Sequence, residues 1–363
     1  MRIITKKNSF GDSFPHSTHS PFVPKFFAFC SFLINPLFIF LILKDTKLNL
    51  GNYKYLLFYF SIFNMSCSMC DILVPICIFN YRYAFTIFVT EGYFETPSDF
   101  GRYILSFRCS YITGTYAILH SHFLYRYMIL VCDNYLDRYF FPFGLLCSIF
   151  YCLLHMAFWT LVAGFLSSRN LENRLQYVRD PFEKYFGQDP FEINVIIAQY
   201  SEASEDFIQD TWIGIVLLSV VSFASLSLIC FLGYLIVREL KKQTLFMSAT
   251  TKRQQTQLIK ALVIQTITPT IACFSPCFFF LVSAYVWNRW RTVNNYEIFE
   301  KRLLFRWLQH VSAIVMSIFP FFDPLSTLLV LPSLRRQLKC LFKCNHTDTP
   351  VQSRVRGTET VCF

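Results

Sequence analysis

The sequence predicts an all-α membrane protein, a seven-transmembrane helix bundle followed by a short interfacial C-terminal helix. Two observations predict this fold. Hydrophobic residues make up 54% of the 363 residues and charged residues 15%, whereas soluble domains carry about 25% charged residues. The apolar residues are also gathered into long runs that are flanked by short clusters of Lys and Arg, as in proteins that cross a bilayer.

The same composition excludes other classes of protein. The 43 Phe, 20 Tyr and 5 Trp residues supply more apolar surface than a disordered chain contains. The 14 Cys residues are too dilute for a small disulfide scaffold, and most of them lie in apolar runs. The net charge of +10 does not indicate nucleic-acid binding, because the basic residues lie between apolar runs rather than on one exposed face.

Seven segments are each long enough to span a bilayer, which takes about 20 apolar residues. No internal repeat or linker divides the chain, so we expect one membrane domain over 21–331, an outer N-terminal segment 1–20 and a cytoplasmic tail 332–363. The seven segments run from Pro21 to Leu43, Tyr53 to Phe79, Tyr103 to Cys132, Tyr139 to Leu166, Thr211 to Val237, Leu258 to Trp287 and Leu303 to Leu331.

The orientation of the bundle depends on its charges. With the N-terminus outside, Lys and Arg divide almost evenly between the two sides, so the positive-inside rule gives little preference. The acidic residues support this orientation, because most of them fall outside, many within residues 167–210. We interpret this stretch as an exposed loop, which is either a plain solvated connection or a part of a ligand site.

Four stretches, taken in order, resemble the Str-type seven-transmembrane chemoreceptors of nematodes, a divergent branch of the G-protein-coupled receptors. They are NYKYLLFYFSIF continuing to CDILVP in segment two, HFLYRY in segment three, QTQLIKALVIQTITP in segment six and FPFFDPLSTLLV in segment seven. The resemblance covers nearly the whole chain from segment one onward. It implies a multi-pass chemosensory receptor in the plasma membrane, in the cilium of a sensory neuron, that signals to a heterotrimeric G protein.

The resemblance also implies an activation switch in segment three. Tyr125, Arg126 and Tyr127 match the family's YRY motif, which is similar to the DRY switch of other G-protein-coupled receptors. A guanidinium at the end of a transmembrane segment can also reach the membrane interface. Arg126 is therefore either part of the switch or an interfacial anchor.

A second part of the switch is implied in segments six and seven. Asp323 and Pro324 match an Asp-Pro motif that resembles the NPxxY hinge, although Thr327 stands where that hinge has Tyr. Asp323 is a carboxylate at membrane depth and must be paired, hydrated or protonated. Pro269, with Gln265 one turn before it, predicts a kink in segment six at the position where such receptors hinge.

The segments on the cytoplasmic side carry clustered bases. The loop between segments five and six suits lipid headgroups or the acidic surface of a partner protein. The stretch PSLRRQLKCLFKC predicts an amphipathic helix on the bilayer surface, with Arg335 among the residues assigned to coupling and with Cys340 and Cys344 as palmitoylation candidates. The apolar face of this helix consists of Leu334, Leu338, Leu341 and Phe342.

Polar residues in the outer half of the bundle are the candidates for ligand binding. They are Asp71, Arg108, Tyr111, Thr115, Ser275, Ser283, Trp307 and His310. Ionisable residues at membrane depth indicate functional sites, but Asp71 and Arg108 could instead pair with each other structurally. The ligand is an odorant, a secreted small molecule or a short peptide. Residues 167–210 contain no Cys, so Cys109 either bonds to another residue, such as Cys77, or stays reduced.

Two other classes of function compete with a receptor. An enzyme would need the histidines of the bundle to cooperate, but His120 and His122 fall on different faces of a helix and no catalytic, metal-binding or cofactor motif is present. A ligand-gated channel or transporter is the stronger alternative. The lack of repeated halves argues against a transporter, whereas only the resemblance argues against a seven-span channel with its N-terminus inside.

Overall fold

A computed structural model describes residues 22–44, 51–132, 139–243, 252–253, 255–267, 269–271, 314–315 and 317–344. These residues form a mostly helical bundle that carries a small antiparallel sheet at one end and an amphipathic C-terminal helix at the other. We call these two ends the sheet end and the tail end.

Every predicted segment contains a helix where the structure describes it. The helices are Phe22–Lys44 in segment one, Tyr53–Leu73 in two, Asp99–Val131 in three, Phe140–Gly144 (π-helical) with Leu145–Ser168 in four, Glu205–Gln243 in five, 255–267 with 269–271 in six, and 317–330 in seven. Of the described helices, those of segments one, two, four and five are apolar and long enough to cross a membrane. The helix of segment three is also long enough, at 33 residues, but carries more polar side chains.

Segment two is shorter than the sequence predicted. Its helix ends at Leu73 rather than at Phe79, because the ring of Pro75 disfavours helical backbone at the preceding residue. The apolar residues that follow form strand β1, Ile76–Tyr81, which pairs in antiparallel fashion with β2, Ala84–Val89. The predicted apolar run therefore contains a transmembrane helix and a strand.

The stretch 167–210 is not the loop that its acidic composition predicts, because it contains a helix and a strand. The loop helix Leu171–Phe186 precedes strand β3, Val195–Gln199, which pairs with β2 to complete a three-stranded antiparallel sheet. The acidic side chains of Glu172, Asp180 and Glu183 are exposed, while Leu175, Val178 and Phe182 are buried. The acidic composition thus comes from the outer face of an amphipathic helix.

The sheet lies between the loop helix and the transmembrane bundle. On one face Ile78 of β1 packs against Ile112 of segment three and Val315 of segment seven. On the other face Phe88 of β2 lies edge-on to Phe182 of the loop helix, with ring centroids 4.9 Å apart. Because side chains alternate along a strand, both faces of the sheet bury apolar surface, and it covers part of the bundle's end.

Asn194 fixes the connection between β2 and segment three to the start of β3. Its side-chain nitrogen donates to the carbonyl oxygens of Phe94 and Thr96, at 2.8 and 2.6 Å. Its side-chain oxygen accepts from the N–H of Ser98 at 2.9 Å, and Ser98 in turn caps the helix of segment three by accepting from Gly101. One fully buried amide therefore links the sheet to the helix of segment three.

The C-terminal helix, Pro332–Cys344, turns away from segment seven by 98°. Leu334 is fully buried against the tail end of segment one, and Leu338 and Leu341 pack against the same cluster. Arg335, Arg336 and Lys339 are exposed. The predicted amphipathic helix is confirmed.

Candidate functional site

A buried ion pair joins segments two and three in the sheet-end half of the bundle. Arg108 Nη2 donates to Asp71 Oδ1, and the two side chains are 2% and 3% exposed. Asp71 Oδ2 and Arg108 Nε have no hydrogen-bond partner among the described residues. The pairing that the sequence left open is therefore present, and it leaves one acceptor and one donor for a further polar contact.

Tyr111 and Thr115 follow Arg108 on the same helix. The Tyr111 hydroxyl accepts a hydrogen bond from the Cys70 thiol across a sulfur–oxygen distance of 3.4 Å. The Thr115 hydroxyl donates to the carbonyl of Tyr111 at 2.9 Å, so it is used within its own helix. Of the predicted ligand residues, Asp71, Arg108 and Tyr111 share one interface. Four further candidates, Ser275, Ser283, Trp307 and His310, lie outside the described residues.

No disulfide joins Cys77 and Cys109 in the described part of the chain. Cys77 lies on the sheet face that packs against the loop helix, whereas Cys109 is buried in segment three. The Cys77 thiol donates to the carbonyl of Ile78 at 3.7 Å. Burial raises the pKa of the Cys77 thiol to about 12, which keeps it protonated and unreactive at neutral pH.

His120 ties segments three, four and five together. Its Nε2 lies 3.0 Å from the carbonyl oxygen of Ser225, and its Nδ1 lies 2.9 Å from the Tyr151 hydroxyl. A carbonyl only accepts, so Nε2 carries the proton and Nδ1 accepts from Tyr151. His122 instead contacts the Tyr53 hydroxyl of segment two, at 2.8 Å. The two histidines face different helices, as their spacing predicted.

Asp323 of segment seven is paired with an amide of segment two. The side-chain nitrogen of Asn64 donates to Asp323 Oδ2 at 2.8 Å, and both residues are buried. Asp323 Oδ1 has no hydrogen-bond partner in the described part of the chain. The carboxyl group therefore accepts a hydrogen bond from another helix, and its contacts would change if segments two and seven moved apart.

Pro324 is accommodated by side chains from segment one. A proline has no N–H, so the carbonyl four residues earlier, that of Pro320, loses its helical hydrogen bond. The Asn35 side-chain nitrogen and the Ser31 hydroxyl donate to this carbonyl, at 3.0 and 3.3 Å. Neighbouring helices satisfy freed carbonyls in this way within membranes. Segments one and seven are consequently joined at the hinge motif.

Gln265 and Pro269 connect segment six to its neighbours. The Gln265 side-chain nitrogen donates to the Thr327 hydroxyl of segment seven at 3.0 Å. The carbonyl of Pro269 accepts from the Tyr116 hydroxyl of segment three at 3.3 Å. Thr327, which departs from the hinge motif, thus provides the contact to segment six.

Arg126 is buried near the tail end of segment three and lies over the ring of Tyr53 in segment two. Its guanidinium carbon is 3.6 Å from the ring centroid, and Nε and Nη2 have no hydrogen-bond partner among the described residues. Tyr53 is fixed by its contact with His122 and by stacking on Tyr125, with centroids 5.3 Å apart. A desolvated cation–π contact contributes roughly 2 kcal/mol. Arg126 is thus held between segments two and three, inside the bundle.

The other predicted switch and palmitoylation residues lie in segment three and in the C-terminal helix. Tyr127 is half-buried against the main core cluster of the bundle. Arg335 is exposed in the first turn of the C-terminal helix, and Cys340 is exposed further along it. Cys344 ends that helix.

Sequence reasoning missed the partners of the motif residues. Asn35 and Asn64 are amides inside apolar segments, and the cost of an unpaired polar group in lipid could have identified them. Tyr53 offers no such signal, because an aromatic residue at the end of a transmembrane segment usually belongs to the interfacial belt.

The helices and their buried contacts define the class of protein. Polar side chains connect segments one, two, three, six and seven, and an amphipathic helix follows the last segment. This arrangement is that of a seven-transmembrane receptor of the G-protein-coupled type. The chain belongs to the family described as serpentine type 7TM GPCR chemoreceptor Srj, whose sequence profile matches residues 16–338.

Individual relatives agree with the family. The chain is 31% identical to "Serpentine receptor class J-38" of Caenorhabditis elegans, over 90% of this chain and 94% of the relative. It is 24% identical to "G-protein coupled receptor str-33" of the same species, over 90% of this chain and 92% of the relative. It is also 24% identical to "Serpentine receptor class r-10" of Caenorhabditis briggsae, over 88% and 90%.

These similarities confirm the identification as a nematode seven-transmembrane chemoreceptor. The subclass is Srj, and the Str-type relative is more distant than the class J relative. The family is one of membrane receptors and not of enzymes.

Proposed function

We propose that this receptor lies in the plasma membrane with its N-terminus outside, binds an external chemical at the sheet end and activates a heterotrimeric G protein at the tail end. The observation that carries the proposal is the position of Arg126. It is a buried cation at the tail end, held by an aromatic ring, with two donor groups that have no partner among the described residues. Such a group can be released to a partner protein when the helices move.

The charge of the tail end supports coupling to an acidic partner or to anionic lipid. Its exposed bases include Lys44, Arg238, Lys241, Lys242, Lys252, Arg253, Lys260, Arg335, Arg336 and Lys339. Glu239 is already paired with Lys242 at 2.9 Å and with Arg238 at 3.1 Å. A G protein would therefore meet a basic surface, and palmitate on Cys340 and Cys344 would hold the C-terminal helix on the bilayer.

The path from the ligand to the G protein follows the interhelical contacts. A ligand that contacts the Asp71–Arg108 pair changes the fit between segments two and three, which also meet at Tyr53 and Arg126. Segments six and seven join the same core through Gln265, Asp323 and Pro324, so they respond to the same shift in population. Ser275, Ser283, Trp307 and His310 complete the proposed ligand set.

The extent and location of the receptor follow from the same proposal. The receptor domain spans 21–331 between the outer segment 1–20 and the cytoplasmic tail 332–363. Expression in the cilium of a sensory neuron is proposed, supported by membership in a chemoreceptor family. The receptor has no enzymatic activity and binds no nucleic acid.

Basal G-protein activation tests the role of Arg126. Replacing Tyr53→Leu removes the ring beneath the guanidinium, so we expect basal activation to rise by up to about tenfold, the equivalent of roughly 1.4 kcal/mol. Tyr53→Phe keeps the ring and should raise it less, and Arg126→Ala should abolish activation. G-protein dissociation is measured in cells with each class of Gα subunit at matched surface expression.

Tyr55→Leu is the matched control, because Tyr55 lies on the same helix but stacks on Phe141, with centroids 4.6 Å apart. It should leave basal activation unchanged. Equal basal activation in the wild type, Tyr53→Leu and Arg126→Ala receptors would contradict the proposal.

A further inference from the structure

Arg174 is a buried cation in the loop helix at the sheet end. No acidic side chain of the described bundle pairs with it. It lies in the first turn of the loop helix and is 1% exposed. Its Nη1 donates to the carbonyl of Ile197 in β3 at 2.5 Å, and its guanidinium carbon lies 4.4 Å from the ring centroid of Phe207. These contacts hold the side chain between the sheet and segment five, and neither contact supplies a negative charge.

The two remaining donor positions of Arg174 share one edge of the guanidinium. Nε and Nη2 have no hydrogen-bond partner among the described residues. The N–H bonds of Nε and Nη2 on this edge are parallel. Such an edge can bind a carboxylate through two parallel hydrogen bonds. Arg174 therefore presents a complete bidentate donor pair at a buried position.

The charges around Arg174 do not neutralise it within the described part of the chain. The acid that acts on it most, Asp210, is paired with Arg169 at 2.8 Å. Burial lowers the pKa of Arg174 to about 10, with Asp210 opposing and Arg169 adding to the shift, so the group stays charged at pH 7. A cation in the first turn of a helix also meets the positive end of the helix dipole. An anion that bound here would relieve each of these unfavourable effects.

We propose that Arg174 anchors the carboxylate of a small organic acid, which binds at the sheet end in addition to the chemical that contacts the Asp71–Arg108 pair. The inference builds on the proposed chemoreceptor function and names the class of this additional ligand. The carboxylate binds the Nε–Nη2 edge of the guanidinium. The site lies on the loop-helix side of the sheet, apart from the Asp71–Arg108 pair within the bundle.

Binding to the purified receptor tests this proposal without requiring a G protein. The full-length receptor in lipid nanodiscs is unfolded thermally with increasing butanoate or benzoate, and with butanamide or benzamide as uncharged counterparts of the same shape. We expect a saturable rise in the unfolding temperature with the acids and none with the amides. Arg174→Gln should weaken the apparent affinity by about tenfold or more, because a charge-assisted bidentate contact is lost.

Two further variants make the test specific. Arg174→Lys keeps the charge but not the planar edge, so it should also lose affinity. Arg179→Gln is the matched control, because Arg179 lies in the same helix, is half-exposed and pairs with Asp189 at 2.6 Å. It should bind the acids like the wild type.

The stability of the receptor without added acid separates a ligand site from a structural pair. An unpaired buried charge costs stability, so Arg174→Gln should unfold at no lower a temperature than the wild type. A marked drop in the unfolding temperature of Arg174→Gln without added acid would show that Arg174 serves a structural contact and would overturn the proposal. Equal responses to acids and amides, or equal binding by Arg174→Gln, would also overturn it. Binding of the acids without G-protein activation would instead leave it intact and count against the proposed coupling.

Discussion

Removing one partner of the Asp71–Arg108 pair should destabilise the receptor by about 3–5 kcal/mol, because the other charge stays buried without compensation. Arg108→Met leaves Asp71 alone at a site where both side chains are at most 3% exposed. Asp71→Leu likewise leaves the Arg108 charge buried without its partner. Thermal unfolding of each single variant in nanodiscs measures the loss.

The double variant Asp71→Leu/Arg108→Met should recover most of this stability. Apolar residues of similar size often replace a buried ion pair at no cost, and this pair makes only one hydrogen bond. Lys25→Ala is the control, because Lys25 and Glu91 form an exposed pair at 2.5 Å that should contribute at most about 1 kcal/mol. A folded double variant that no longer responds to ligand would assign the pair to binding, whereas additive losses would show that the two residues act independently.

Replacing Asn64→Asp should also destabilise the receptor, by about 3 kcal/mol, because it removes the Asn64 donor to Asp323 and sets two carboxyl groups against each other. The present distance from the Asn64 nitrogen to Asp323 Oδ2 is 2.8 Å, which is too short for two ionised carboxylates. The measurement is again thermal unfolding, together with the amount of receptor at the cell surface.

The exchange Asn64→Asp/Asp323→Asn should restore the stability, because it returns one amide and one carboxyl group to the same contact with their helices interchanged. Asp323→Asn alone keeps a donor and an acceptor and should be tolerated. Ser61→Ala is a suitable control, since the buried Ser61 hydroxyl only donates to the carbonyl of Leu57 in its own helix. If the exchanged receptor were no more stable than Asn64→Asp alone, the contact between residues 64 and 323 would not stabilise the packing of segments two and seven.

The transmembrane helices could be predicted because each apolar run is long enough to span a bilayer and is bounded by charge. The sheet could not be predicted by the same rule. The strand residues Ile76–Tyr81 are as apolar as the helix before them, so hydropathy extended segment two to Phe79. Pro75 carried the missing information, because the backbone before a proline leaves the helical region.

Within the candidate site, the sequence indicated the motif residues but not their partners. Arg126, Asp323 and Pro324 lie in strings that resemble those of a family. Their contacts with Tyr53, Asn64 and Asn35 come from other segments. Which side chains meet is decided by the rotation of each helix, and a single sequence does not fix that rotation. Arg174 was not predicted, because the acidic composition of the stretch around it indicates an exposed loop. Its burial follows only from the loop helix and β3.

The orientation of the receptor in the membrane is the most direct test of the account, because both the ligand site and the G-protein site depend on it. The measurement is antibody labelling of an epitope tag at each terminus, in intact and in permeabilised cells. We predict labelling of the N-terminal tag in intact cells and of the C-terminal tag only after permeabilisation. A C-terminal tag labelled in intact cells would put the sheet end inside the cell, contradict the proposed receptor and favour a seven-span channel.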